Sequence, residues 1–239
     1  MSTLKPGWVR SVSSVVLLVA CACGVRGNPA RAVPPQSGLS ATIPAAHLTR
    51  VALRVQDGSL AVRPANTDEV IVTVSVSGDD CRRGPAAALL RTRDDGGALH
   101  LDVRPSTKGR CDEHWRIEMP VALMLEARGD RVDMDIRGTR GGLDLNVGKG
   151  TIEVDARAGN IEAVVQNGDV RVGTASTGYG RIRLATQVGR TELSLDGRAV
   201  RHPRPPGPGD WIEIGGPGQY RVSLRATVGS VRLDVGVTR

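Results

Sequence analysis

The sequence predicts an all-β fold: a repetitive, β-solenoid or β-helix-like stack of short strands on a nine-residue, glycine-cornered repeat. Three observations predict it. The 239 residues include 30 Gly but only 3 Trp, 2 Tyr and no Phe, so any core must be built from Val, Leu, Ile and Ala. Gly150, Gly159 and Gly168 stand nine residues apart. After each of them, apolar or β-branched residues recur at every second position, the period of a strand with one buried face.

The first element along the chain is an address. Residues 1–20 carry Lys5 and Arg10 ahead of the apolar run from Val15 to Ala20, the n-region and h-region of a signal peptide. The run is too short to span a bilayer as a stable helix. Leu18-Val19-Ala20-Cys21 resembles the lipobox of bacterial lipoproteins. That resemblance implies acylation of Cys21 and attachment to a membrane through an N-terminal lipid, facing the periplasm or the cell exterior. Ala22, where an Asp would retain the protein, implies the outer membrane in a double-membrane cell. Ordinary cleavage after Ala20-Cys21-Ala22 is the alternative and would release a soluble periplasmic protein beginning at Cys23.

Residues 21–47 then read as lipid anchor and flexible tether, being small, Pro-bearing and without periodicity. A single β-repeat domain is expected over 48–239. Its early frames are Gly58-Ser-Leu-Ala-Val and Gly97-Ala-Leu-His-Leu-Asp-Val. Between and beyond them, Cys81 and Cys111 are left as a pair in an exported chain, and a disulfide is the economical reading. Closing that loop stabilises by roughly 3.5 kcal/mol on a chain-entropy view. The competing reading is zinc on Cys111 and His114, but a zinc site wants four ligands at short paired spacings. No metal or other cofactor is expected.

Arg128-Gly129-Asp130 spells a cell-attachment tripeptide and is expected to mark a turn before the Val132 strand. From there the frames run through Gly141, Gly150, Gly159 and Gly168, skip three residues at Gly178-Tyr179-Gly180, and resume at Gly180 and Gly189. The skip reads as a bulge or loop. After an insertion, the frames return from Tyr220 and at Gly229. Asp135, Asp144, Glu153 and Glu162 occupy the third position after the corner, between inward-facing apolar residues, and so should point outward from mid-strand. Calcium β-rolls keep their ligating Asp in Gly-rich turns, so these acids suit a solvated face better. Arg171, Arg183 and Arg232 share the position, which predicts ion pairs between neighbouring strands.

Nine residues fit two topologies. In a solenoid, two frames make one coil of about eighteen residues; in an antiparallel β-meander sandwich, each corner is a hairpin turn. The strand ending in Met119-Pro120, the following Val121-Ala-Leu-Met-Leu-Glu-Ala and the Gly-x-Ile-x-Val ladder resemble the bacterial putative-adhesin domains, exported β-solenoid-like modules of unknown function. The resemblance covers roughly residues 48–239. It implies the solenoid, and it supplies no catalytic residues.

No catalytic constellation stands out. There is no nucleophile elbow, phosphate loop or dinucleotide fingerprint, and the four His are scattered. The net charge is +7, but the Arg are dispersed and no aromatic platform accompanies them, which argues against nucleic acid. Residues 198–211 form a basic, Pro-rich insertion that interrupts the repeat. Loops that leave a regular scaffold often bind, so Arg201, His202, Arg204 and Trp211 are the candidate binding loop, for an anionic glycan or an envelope protein. The alternative is a solvated excursion that covers a sheet end. The sequence therefore predicts a non-enzymatic, adhesin-like envelope lipoprotein. Its rivals are a glycan-active enzyme on a β-helix and a soluble periplasmic binding module.

Overall fold

The computed structural model of the protein describes residues 38–77, 88–105, 111–204 and 206–236, and among these it is all-β with no helix. The expected signal peptide, Cys21, Cys23 and Cys81 lie outside the described residues.

In the middle of the molecule the frames become strands in pairs. β8 (Leu143–Lys149) and β9 (Ile152–Ala156) share one corner, as do β10 (Ile161–Asn167) and β11 (Val170–Thr174). β10 lies parallel to β8 with Ile161 beside Leu143, and β11 lies parallel to β9 with Val170 beside Ile152. Both offsets are eighteen residues, or two frames. β8 and β9 pair with the coils before and after them, not with each other. Gly150 between them is therefore a corner and not a hairpin turn. The long β7 (Met124–Thr139) serves both, lying beside β8 along its first half and β9 along its second.

The corner explains the glycine. Gly168 has φ of 143°, and a Cβ there would lie 1.8 Å from the Gly150 carbonyl oxygen. Gly229 has φ of 138° and would meet the Gly168 carbonyl at the same distance. Coils stack so closely at this edge that a methyl group has no room, and the positive φ alone disfavours other residues. The residue after the corner then stitches coil to coil. Asp133 Oδ1 accepts from the Thr151 amide at 2.8 Å, and Asp169 Oδ1 accepts from the Ser230 amide at 2.9 Å and hydroxyl at 2.8 Å. Asp133 follows Val132, which stands where the other frames have their corner glycine.

Inward positions stack in register into aliphatic columns. Ala127, Leu145, Ala163 and Leu224 are one; Ile136, Val154, Val172 and Leu233 are another, all buried. Each fully buried Val, Leu or Ile stabilises by about 1.5–3 kcal/mol relative to exposure. That is how the sheet holds a core with so few rings.

Spatial order departs from chain order near both ends. At one end, β16 (Tyr220–Val228) and β17 (Val231–Val235) lie between the β10–β11 coil and the coil of β12 (Tyr179–Val188) and β13 (Thr191–Leu195). The last coil in the chain is thus not the last in the stack. At the other end, β2 (Arg50–Pro64) lies between β7 and the pair β5 (Ala98–Pro105) and β6 (Asp112–Met119). The stack closes in antiparallel strands. β3 (Glu69–Ser77) covers β6, β1 (Gly38–Pro44) covers β3, and β4 (Ala88–Asp95) covers β5. At the far end β15 (Asp210–Gly215) covers β12, and the two-residue β14 (Arg198–Ala199) covers β13.

Three expectations change. Gly38–Pro44, within the stretch 21–47 read as tether, is a strand. Arg128-Gly129-Asp130 is no turn but continuous strand inside β7, with Arg128 bonded to Glu126 at 3.2 Å and Asp130 to Arg54 at 3.4 Å. The expected ion pairs between neighbouring strands form only in part, because parallel stacking in register sets Arg171 and Arg232 directly beside each other. Each turns along its own strand instead, Arg171 to Asp169 at 3.2 Å and Arg232 to Asp234 at 3.0 Å; only Arg232 also reaches across, to Glu192 at 3.8 Å. The expected bulge at the three-residue skip is present, as a register shift between Tyr179 and Arg181.

Candidate binding surface

The insertion 198–211 runs from the β13 edge to the β12 edge and crosses the end of the core. Its four candidate residues separate into two groups. His202 turns inward and is mostly covered, and its Nε2 donates to Asp210 Oδ1 at 2.8 Å. Asp210 occupies an inward strand position beside Thr186 and is 3% exposed. Its Oδ2 accepts from the Thr191 amide at 2.9 Å, with Arg204 Nε at 3.9 Å. Burial pushes the Asp210 carboxyl up, but the Thr191 amide and the His202 ring outweigh it and hold it below the ordinary Asp value. His202 and Arg204 therefore tie the insertion down over the sheet end. Arg201 is exposed, and Trp211, at 60% exposure, is the most open large apolar side chain among the described residues.

Trp211 does not stand alone. It belongs to the outer face built by β7, β8, β10, β16, β12 and β15, where parallel register sets outward side chains in rows. One row reads Glu126, Asp144, Glu162, Ser223, Arg183, Glu213. The next reads Arg128, Asn146, Val164, Arg225, Ala185, Trp211. One half of the face is thus acidic. The other half holds Arg183, Arg221 and Arg225, all exposed. Arg181 beside them is engaged by Glu213 at 2.9 Å. A shallow groove at the basic edge is lined by Arg183, Ala185, Trp211 and the Pro206–Gly209 segment. Sequence reasoning placed Trp211 in the insertion and missed Arg225 and Ala185. The pairing of β15 with β12 sets Trp211 beside Ala185, and the displaced order of the last coil brings Arg225 into their row.

The three acids on the same face, Glu126, Asp144 and Glu162, stand in the open and not in a cleft. Among the described residues no group of three His, Cys, Asp or Glu could hold a metal ion. His114 lies between Ser59 (3.0 Å) and Ser77 (3.2 Å) on an exposed surface. Cys111 is buried at the start of β6 and is engaged rather than free, and its expected partner Cys81 lies outside the described residues.

Comparison with solved structures finds likenesses to two bacterial proteins. A putative cell adhesion protein from Clostridium sporogenes superposes with a TM-score of 0.57 at 12% identity, over 84% of this chain and 99% of its own. A putative adhesin from Bacteroides fragilis matches at a TM-score of 0.35 and 12% identity, over 84% and 98% of the two chains. No family model and no curated protein matches the sequence. At this identity the first likeness is one of fold.

Proposed function

We propose that the chain is an exported, non-enzymatic cell-envelope lipoprotein, anchored by lipid on Cys21, whose adhesin-like β-solenoid binds or scaffolds envelope glycan or protein. The observation that carries the reading is the outer face itself. Fixed rows of charge, acidic on one half and basic with an exposed Trp on the other, are displayed on a rigid aliphatic stack. Such a face suits recognition of an extended partner, because its side chains are held in place before binding and lose little freedom on contact. The fold shared with the Clostridium sporogenes protein supports an adhesin-like role. A disulfide between Cys81 and Cys111 belongs to the same reading of an exported protein, and the engagement of Cys111 supports it.

A glycan array tests the function. Wild-type protein is expected to bind an anionic subset, and deletion of residues 201–209 to weaken it; an array with no binding to any glycan removes glycan from the proposal. Mass spectrometry of the mature N-terminus tests the anchor. An acylated Cys21 is expected, and an unacylated chain beginning at Cys23 replaces the lipoprotein with the soluble periplasmic module. The glycan-active enzyme is the weaker rival: Glu126, Asp144 and Glu162 line no pocket among the described residues, and in the one that Glu153, Glu192 and Asp234 line, Arg232 is bonded to Asp234 and close to Glu192.

A further inference from the structure

We propose that the groove lined by Arg183, Ala185 and Trp211, with Arg225 next to Ala185 in the same row, is a subsite for one uronic-acid residue of an anionic glycan. The inference rests on the binding reading above and assigns it a place and a chemistry. Trp211 and Arg225 flank Ala185 in a single outward row. They are two strands apart, roughly 10 Å at the usual ~4.8 Å strand spacing. The methyl group of Ala185 leaves the floor between them open, a gap the width of one hexose ring. The indole offers an apolar face to the C–H side of the sugar. Arg225 and Arg183 stand on the far side and along the floor, both exposed and without an ion-pair partner among the described residues. Two guanidinium forks match a planar carboxylate. Two acids are close by: Glu213, the register partner of Arg183, is already held by Arg181, and Asp210, which lines the groove, faces inward and is engaged by Thr191 and His202. Pro206 and Pro208 wall the outer side, and the ties of His202 and Arg204 to Asp210 hold that wall in place. On this account Arg201 and Arg204 are not the ligand-binding cations.

Isothermal titration of the mature chain with trigalacturonate tests the subsite, with its methyl ester as the uncharged control. Trigalacturonate is expected to bind and the ester at least tenfold more weakly. Trp211→Ala should weaken binding tenfold or more, Arg225→Gln and Arg183→Gln several-fold each, and Trp211→Tyr less than Trp211→Ala. Arg171→Gln, on the other half of the coils, should leave affinity unchanged. Trp211 is the one exposed Trp among the described residues, with Trp115 at 2% exposure, so binding should blue-shift the emission of wild type but not of Trp211→Ala. Affinity within twofold of wild type for both Trp211→Ala and Arg225→Gln overturns the subsite, as does an ester that binds as well as the acid. If trigalacturonate does not bind at all the subsite is wrong, and the broader binding function then stands or falls on the array. Each variant sits on an exposed side chain, and an unchanged thermal midpoint confirms that it has folded.

Discussion

Glu113 and Asp210, the two most deeply buried carboxylates among the described residues, sit near opposite ends of the stack and are treated in opposite ways. At the far end Asp210 is met by an amide, an imidazole and a more distant guanidinium, and its pKa falls. At the near end Glu113, 3% exposed, points inward from β6 with the Trp115 indole N–H at 2.9 Å. Burial pushes its carboxyl above the ordinary Glu value; the Trp115 N–H opposes this, while Asp102 and Asp57 add to it. The lesson is that burial alone does not set the charge of an end cap. The number and charge of the donors aimed at it do. One end is a charged staple, and the other carries a carboxyl that favours its proton.

Substitutions can break that contrast, and the largest effect is expected at the staple. Asp210→Ala leaves the Thr191 amide and the His202 ring without their acceptor, and should cost about 3 kcal/mol, measured by urea denaturation at pH 7. Glu113→Gln should do the reverse at pH 8, raising stability by about 1 kcal/mol because no charge is left to desolvate. Equal losses from both variants would erase the distinction. The pH profiles sharpen it. Glu113 binds its proton more tightly folded than unfolded, so its contribution falls as pH rises above the ordinary 4.5 towards the raised folded value. Asp210 works the other way, stabilising above its ordinary 3.8 and losing that contribution as pH falls towards the depressed folded value. Glu113→Gln should flatten the first slope and leave the second. A smaller effect, about 1 kcal/mol, is expected for His202→Ala. Arg204→Ala should change stability by no more than ~0.5 kcal/mol, since its 3.9 Å contact with Asp210 is long and the side chain is 58% exposed.

Much of the fold was legible because it depends on local rules. Period two identified the inward column of Leu145, Ala163 and Leu224, and the glycine spacing identified corners that leave no space for a methyl group. The same alternation places Glu113 inside with Trp115 and Ile117, a signal that was obscured by reading Cys111 to His114 as a weak metal motif. What was not legible is long-range order. Nothing in frames 180–195 and 220–235 says that the second lies inside the first, and so nothing predicted that Arg225 would share a row with Trp211. His202 read as a binding residue because its partner, Asp210, hides in a stretch that looks like loop and is the first residue of an inward-facing strand.

The position of β16 and β17 also sets a schedule for assembly. The coil that fills the gap beside β10 and β11 runs to Val235, later in the sequence than the strands β12 and β13 that it supports. Until β16 and β17 have been made, β12 and β13 have no neighbouring coil of the finished stack to dock on, and the far end cannot close. A chain stopped at about residue 219 should lose more than its final coil, because everything beyond β11 waits for it. Closure of the far end thus depends on a coil that comes later in the sequence than the strands it supports.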